Sequence, residues 1–198
     1  PETYLTEYEI TKQQAEELCF DYCKKGLDVV IVNPSRLYGP GFLNKSNSVT
    51  LMIKKYLDGT WRFIPGNGNQ LGNYVFIDDV VQGHILAMKR GVPGEKYILG
   101  GTNATFSAFF QILAKLSNKK RVMVHISLSL MLVFSHFELF MAETFCKKPL
   151  ITPVWVRRYN QNRPLSSQKA IDQLGYSITS LEDGFKKTIN WLNSNYGK

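Results

Sequence analysis

Cysteine is scarce in this chain, with three residues in all. Cys19 and Cys23 stand one helical turn apart and Cys146 is remote, a set that makes neither an even disulfide framework nor a zinc spacing. No metal site is expected, and a reducing, cytoplasmic setting is the simplest account of such thiols. Long apolar runs are missing as well. The stretch Val122 to Phe137 carries no Asp, Glu, Lys or Arg, yet it falls short of the roughly 20 residues that span a bilayer, and Glu138 and Glu143 follow it. It is expected to form a buried helix or the wall of an apolar pocket. An interfacial lie on a membrane stays open, because Lys119, Lys120 and Arg121 flank it. Acidic residues are outnumbered 16 to 24 by basic ones, but the Lys and Arg are scattered rather than blocked, so no nucleic-acid partner is expected. A signal peptide is absent and the chain starts at Pro1 directly ahead of a helix, so it reads as a piece of a longer protein.

What is present is the pattern of a soluble α/β protein, 198 residues long and 44% hydrophobic, enough for one core or two small ones. From Thr11 to Lys25 the apolar positions Ala15, Leu18, Cys19 and Tyr22 recur at helical spacing, and Gly26 is a natural stop. The run Val29 to Val32, in a strand from Asp28, is continuously apolar, as in a parallel strand buried on both faces. It leads into Asn33-Pro34-Ser35-Arg36-Leu37-Tyr38-Gly39-Pro40-Gly41, read as a loop at a carboxyl strand end, where open α/β sheets place ligands. Helices are predicted at 48–58, 80–90, 107–116, 168–174 and 181–193, with strands at 62–65, 73–77 and 96–99. Asp78 and Asp79 read as caps of the helix they precede, and His84 as a packed or hydrogen-bonded side chain.

Near the start, Tyr8 and Lys12 lie four residues apart on one helix, hence on one face. Two unit charges about 4 Å apart interact by roughly 4 kcal/mol at an effective dielectric near 20, so an ammonium there can bring a phenol into use as an acid or base.

Read together, Tyr8-x-x-Thr-Lys12, the Asn-Pro-Ser-Arg-Leu-Tyr-Gly-Pro-Gly of 33–41 and the Tyr-Val-Phe-Ile-Asp-Asp-Val-Val-Gln-Gly-His of 74–84 resemble the extended short-chain dehydrogenase/reductase family, also called the NAD-dependent epimerase/dehydratase family. Tyr97 to Gly101 and Ser166 to Tyr176 resemble its later landmarks. The resemblance implies the C-terminal part of a Rossmann-type, doubly wound parallel sheet with a smaller α/β substrate-binding domain. Residues 1–41 and about 73–101 would belong to the Rossmann part, and about 42–72 and 102–198 to the substrate-binding part. It also implies NAD or NADP as cofactor, Tyr8 as catalytic acid/base, and Lys12 as the group that holds the nicotinamide ribose and poises the phenol. Pro34 and Ser35 would neighbour the nicotinamide.

Two departures from the family pattern shape the expected function. The Gly-rich pyrophosphate loop, the acidic ribose selector and the catalytic Ser/Thr are not found, and Thr3 and Thr6 sit too close to Tyr8 to replace that hydroxyl. This chain alone is therefore expected to be inactive. At Gly72, nucleotide-sugar enzymes of the family carry an Arg that clamps phosphate, which glycine cannot do. Together with the uncharged 122–137 stretch, this resembles the dihydroflavonol-reductase and 3β-hydroxysteroid-dehydrogenase branch. The expectation is an NAD(P)-dependent oxidoreductase acting on a carbonyl or secondary alcohol of a fairly hydrophobic small molecule, with a homodimer as a further possibility. The alternatives are a nucleotide-sugar epimerase or dehydratase and a non-catalytic dinucleotide-binding relative.

Overall fold

Alternating side chains on one strand divide the interior into two cores. The computed structural model describes residues 6–44, 47–145, 147, 149 and 151–197, so Thr3 and Cys146 lie outside the described residues. The elements in chain order are α1 (Glu7–Lys24), β1 (Ile31–Pro34), β2 (Arg36–Tyr38), α2 (Ser48–Asp58), β3 (Phe63–Pro65), β4 (Leu71–Phe76), α3 (Ile77–Arg90), β5 (Lys96–Leu99), β6 (Thr102–Thr105), α4 (Phe106–Ser117), β7 (Val124–Ile126), α5 (Leu128–Thr144), α6 (Pro153–Tyr159), α7 (Gln168–Leu174) and α8 (Leu181–Tyr196). Gly59 and Gly175 close α2 and α7 in the left-handed conformation, as their positions after helical patterns predict.

Period-two geometry sends Tyr74 and Phe76 of β4 to one side and Val75 to the other. The larger core holds Tyr74 and Phe76 with Tyr56, Phe109, Phe110 and Phe185, gathered from α2, α4 and α8. The smaller holds Val75, Tyr97 and Leu99 against α3 and α7. Each aromatic or aliphatic side chain so enclosed contributes about 1.5–3 kcal/mol of transfer free energy. Helices on both faces of a largely parallel sheet make this an α/β fold of the doubly wound, Rossmann type.

The sheet splits where the site is expected. β1 pairs in parallel with β5, whereas β2, one residue further on, pairs in parallel with β4, and β6 pairs antiparallel with β4. Ser35 and the Gly100-Gly101 pair occupy the two points of divergence, at the carboxyl ends of β1 and β5. Arg36 to Tyr38 is thus a strand and not a loop, because its backbone finds a ladder partner in Tyr74 to Phe76.

Three further expectations are corrected. The strand expected from Asp28 starts at Ile31, and Ile31, Val32 and Asn33 are half-buried rather than enclosed on both faces. Val30 and Val32 pack toward the α3 side alone. Helix α1 buries none of its residues, and Leu18 and Tyr22 face solvent, because its inward face is the polar series Glu9, Gln13 and Glu16. The uncharged 122–137 stretch is no buried helix. It forms β7 and most of α5, a helix apolar on nearly all sides that packs against α6 and buries only Met131, Ser135 and Ala142. No helix among the described residues is long and apolar enough to cross a membrane.

Asp78 and Asp79 do lie in the first turn of α3, but neither side chain caps it. Asp79 instead accepts from the backbone N–H and hydroxyl of Thr179, at 2.7 and 2.6 Å, tying the approach to α8 onto α3. His84 is hydrogen-bonded as expected, through Nδ1 to the Val80 carbonyl at 2.8 Å.

Candidate functional site

Local chemistry fixes where Tyr8 stands. Thr6 is the N-cap of α1, its hydroxyl oxygen accepting from the Glu9 N–H at 3.2 Å and its O–H donating to Glu9 Oε2 at 3.1 Å. This variant of the capping box sets the helix start, so Tyr8 falls in the first turn and Lys12 one turn on. The Lys12 ammonium lies 5.7 Å from the centre of the Tyr8 ring, and the ring is 66% exposed. The predicted acid/base residue is therefore open to a substrate.

The polar face of α1 attaches it to the rest of the molecule. Glu9 Oε1 receives Arg158 Nη1 at 2.8 Å and Arg163 Nη1 at 2.9 Å. Burial alone would raise the Glu9 pKa. The Arg163 hydrogen bond, the Arg158 charge and the Thr6 hydroxyl outweigh it, leaving the group below its usual value of 4.5. One turn beyond Lys12, Glu16 accepts from Asn33 Nδ2 and Lys96 Nζ, each at 2.9 Å. Its pKa is lowered as well, burial again being overcome by these two partners. Through Asn33 on β1 and Lys96 on β5, Glu16 connects the Tyr8-Lys12 helix to the point where the sheet divides.

There Ser35 hydrogen-bonds through its N–H to the Leu99 carbonyl at 3.2 Å, while its buried Oγ has no partner among the described residues. Pro34 beside it is exposed at the end of β1. The structure thus brings Tyr8 and Lys12 together and places Pro34 and Ser35 at the sheet's divergence. Glu16 and Asn33 are the link between the two pairs.

The surroundings of Gly72 differ from the expectation that this position leaves the site without a guanidinium. A Cβ on Gly72 would lie 2.7 Å from Arg36 Nη1, so Arg36, reaching across from β2, occupies the space where a side chain of residue 72 would start. The loop after α6 closes on the same strand: Arg163 N–H donates to the Leu71 carbonyl at 3.1 Å and Leu71 N–H to Asn162 Oδ1 at 2.9 Å. Arg158 is held below its ordinary pKa by burial and by the charge of Arg163, with Arg36 acting in the same sense and Glu9 opposing. The sequence offers Arg62, Arg157 or Arg163 as a phosphate ligand under the nucleotide-sugar alternative and does not mark Arg36, Arg158 or Glu9. The Thr6-x-x-Glu9 capping signature was the available signal for Glu9. Nothing local marks Arg36, which matters through a glycine on a neighbouring strand.

Comparison with known proteins bears on the family and the fold. Residues 1–100 match the family model described as NAD dependent epimerase/dehydratase family. The chain is 27% identical over 208 residues to 3beta-hydroxysteroid-dehydrogenase/decarboxylase isoform 1 of Arabidopsis thaliana, covering 96% of this chain and 46% of that protein. It is 31% identical over 199 residues to sterol demethylase protein B of Methylococcus capsulatus, covering 94% and 56%. Among solved structures, that of gox2253 superposes with a TM-score of 0.76 at 29% identity, covering 96% of this chain and 57% of that one. The Bacillus cereus UDP-glucuronic acid 4-epimerase in complex with NAD shares the fold, with a TM-score of 0.71 at 23% identity over 99% and 55% of the two chains. The chain spans about half the length of the curated relatives it matches.

Proposed function

The chain belongs to the NAD dependent epimerase/dehydratase family, and from that premise we propose that it carries the acid/base half of an NAD-dependent oxidoreductase active site. The reaction is reduction of a carbonyl, or oxidation of a secondary alcohol, on a fairly hydrophobic small molecule. The observation that carries this reading is the pairing of an exposed Tyr8 with Lys12 on a capped helix anchored at the sheet's divergence. In reduction Tyr8 gives its proton to the carbonyl oxygen, and in oxidation it takes the proton back. Lys12, which makes no ion pair among the described residues, supplies positive charge near the Tyr8 ring, 5.7 Å from its centre.

The residues present fit a nicotinamide cofactor. The Ser35 hydroxyl is buried and without a partner among the described residues at the carboxyl end of β1, where open α/β sheets hold such ligands. Lys12, Pro34 and Ser35 would hold its nicotinamide end. When bound, the nicotinamide supplies or accepts the hydride. The relatives named for a hydroxysteroid and a sterol support a hydrophobic alcohol or ketone. The division into a Rossmann part, 1–41 and 73–101, and a substrate-binding part, 42–72 and 102–198, belongs to the same proposal.

One observation favours a second reading, in which a nucleotide sugar is epimerised or dehydrated: a guanidinium, that of Arg36, does stand at Gly72. The two readings separate in a panel of hydrophobic ketones and UDP- or dTDP-sugars, offered with NADH or NAD to the whole protein that carries this chain. Turnover of ketones with no tight binding of a sugar nucleotide is expected. Specific, tight binding of a UDP-sugar would overturn the first reading.

A further inference from the structure

We propose that the outward face of α5 docks flat on an anionic lipid bilayer, with its phenylalanines among the acyl chains and the flanking lysines among the headgroups. A helix apolar on nearly all sides normally lies inside a protein core, yet α5 buries only Met131, Ser135 and Ala142. Those three recur at helical spacing on one side, and α6 packs against the helix. Leu130, Val133, Phe134, Phe137 and Phe140, at three- and four-residue spacing, form a stripe on the other side, each 48–69% exposed. Continuous apolar surface of this kind marks a docking face, whereas single exposed apolar residues do not. Glu138 is half-buried and rotated about 100° off Phe137, and Glu143 lies in the last turn beyond Phe140, so neither carboxylate interrupts the stripe.

Charge identifies what covers this face. Residues 119–158 hold seven Lys and Arg against two Glu, five of the chain's eight net positive charges. Lys119, Lys120 and Arg121 precede the helix and Lys147 and Lys148 follow it, and of these Lys120 and Lys147 are exposed. Lysines so placed are attracted by anionic headgroups. Protein interfaces, in contrast, are depleted in Lys and fix their register with about one hydrogen bond per 100–200 Å², which a stripe without polar side chains cannot offer. Trp155 on α6 is exposed as well, and is the residue type that sits at headgroup level. The helix lies on the bilayer and does not span it. Its 17 residues rise about 25 Å against a hydrocarbon core about 30 Å thick, and one of its sides is already taken by protein. This docking goes beyond the reaction proposed above and does not rest on it, although a hydrophobic alcohol or ketone partitions into the same lipid.

The test is flotation of the whole protein that carries this chain with vesicles of phosphatidylcholine alone and of equal parts phosphatidylcholine and phosphatidylserine. Binding to the mixed vesicles is expected, severalfold tighter than to the neutral ones and weakened by high salt. The double variant Phe134→Ser/Phe137→Ser should bind about tenfold more weakly or worse, because two rings no longer enter the acyl region. Lys120→Gln/Lys147→Gln should lose the preference for the mixed vesicles while still binding the neutral ones, and it carries the test should the phenylalanine variant fail to fold. Absence of binding to the mixed vesicles, no preference for them over the neutral ones, or binding left unchanged by either folded double variant would overturn the proposal. Self-association without lipid that Phe134→Ser/Phe137→Ser abolishes and vesicles do not displace would give the stripe to a second copy, and would overturn it too. Tyr8→Phe keeps vesicle binding whatever becomes of turnover, so failure of the oxidoreductase reading and failure of the docking face give different results.

Discussion

Helix α1 and helix α4 are held in place by opposite kinds of interaction. Phe109 and Leu113 of α4 are fully buried, and Phe109 meets Tyr74, Phe110 and Phe185 with ring centres 4.8–5.3 Å apart. No residue of α1 is buried, and its inward face is held by the ion pairs of Glu9 and Glu16. The proposed function gives the difference a chemical reason. A helix proposed to present a phenol and an ammonium to a ligand cannot surround them with a dry core, so it is attached by charge and by the cap at its start. The core helices set the fold, and on this proposal α1 brings the chemistry to it.

Breaking the core should have the largest effect. Phe109→Ala removes an aromatic side chain from the meeting point of α4, β4 and α8, and should cost about 3–5 kcal/mol in urea unfolding. A cost under about 1 kcal/mol would mean that the two helices do not differ as described. Glu9→Gln should cost less, about 1–2 kcal/mol, because the pairs it breaks are partly open to solvent, with side-chain exposures of 17–34%. Its effect should be local: amide exchange in α1 accelerates while α4 stays protected.

Acid should release α1 by the same route. Glu9 and Glu16 have pKa values lowered in the folded state relative to 4.5. Their contribution is therefore complete above pH 4.5 and is lost as the pH falls through the folded values. Exchange protection of α1 should decline below pH 4.5 before that of α4 does. Simultaneous loss in both helices would contradict the distinction. The smallest effect belongs to the surface. Phe137 on α5 is 58% exposed, so Phe137→Ser should change stability by no more than about 0.5 kcal/mol in thermal melts.

Much of the fold was legible from periodicity and punctuation. The 48–58 and 168–174 helices end at their glycines, and the strands around Tyr74 and Tyr97 lie where apolar, β-prone runs put them. What misled was hydrophobicity without a partner. Tyr22, Leu18 and the phenylalanines of α5 look like core residues in sequence and are exposed in the fold. Of the proposed site, the nearness of Tyr8 and Lys12 could be read because both residues lie on one helix. The Arg36 contact could not, because it depends on the pairing of β2 with β4 and on a side chain that glycine lacks.

The central claim is that Tyr8 is the proton donor and acceptor. It is tested most directly by comparing wild type and Tyr8→Phe in the whole protein, measuring ketone turnover with NADH alongside NADH affinity. Turnover should fall by about 10²–10⁴-fold, the range for loss of a general acid, while NADH affinity stays within a factor of a few. Near-normal turnover by Tyr8→Phe would contradict the account.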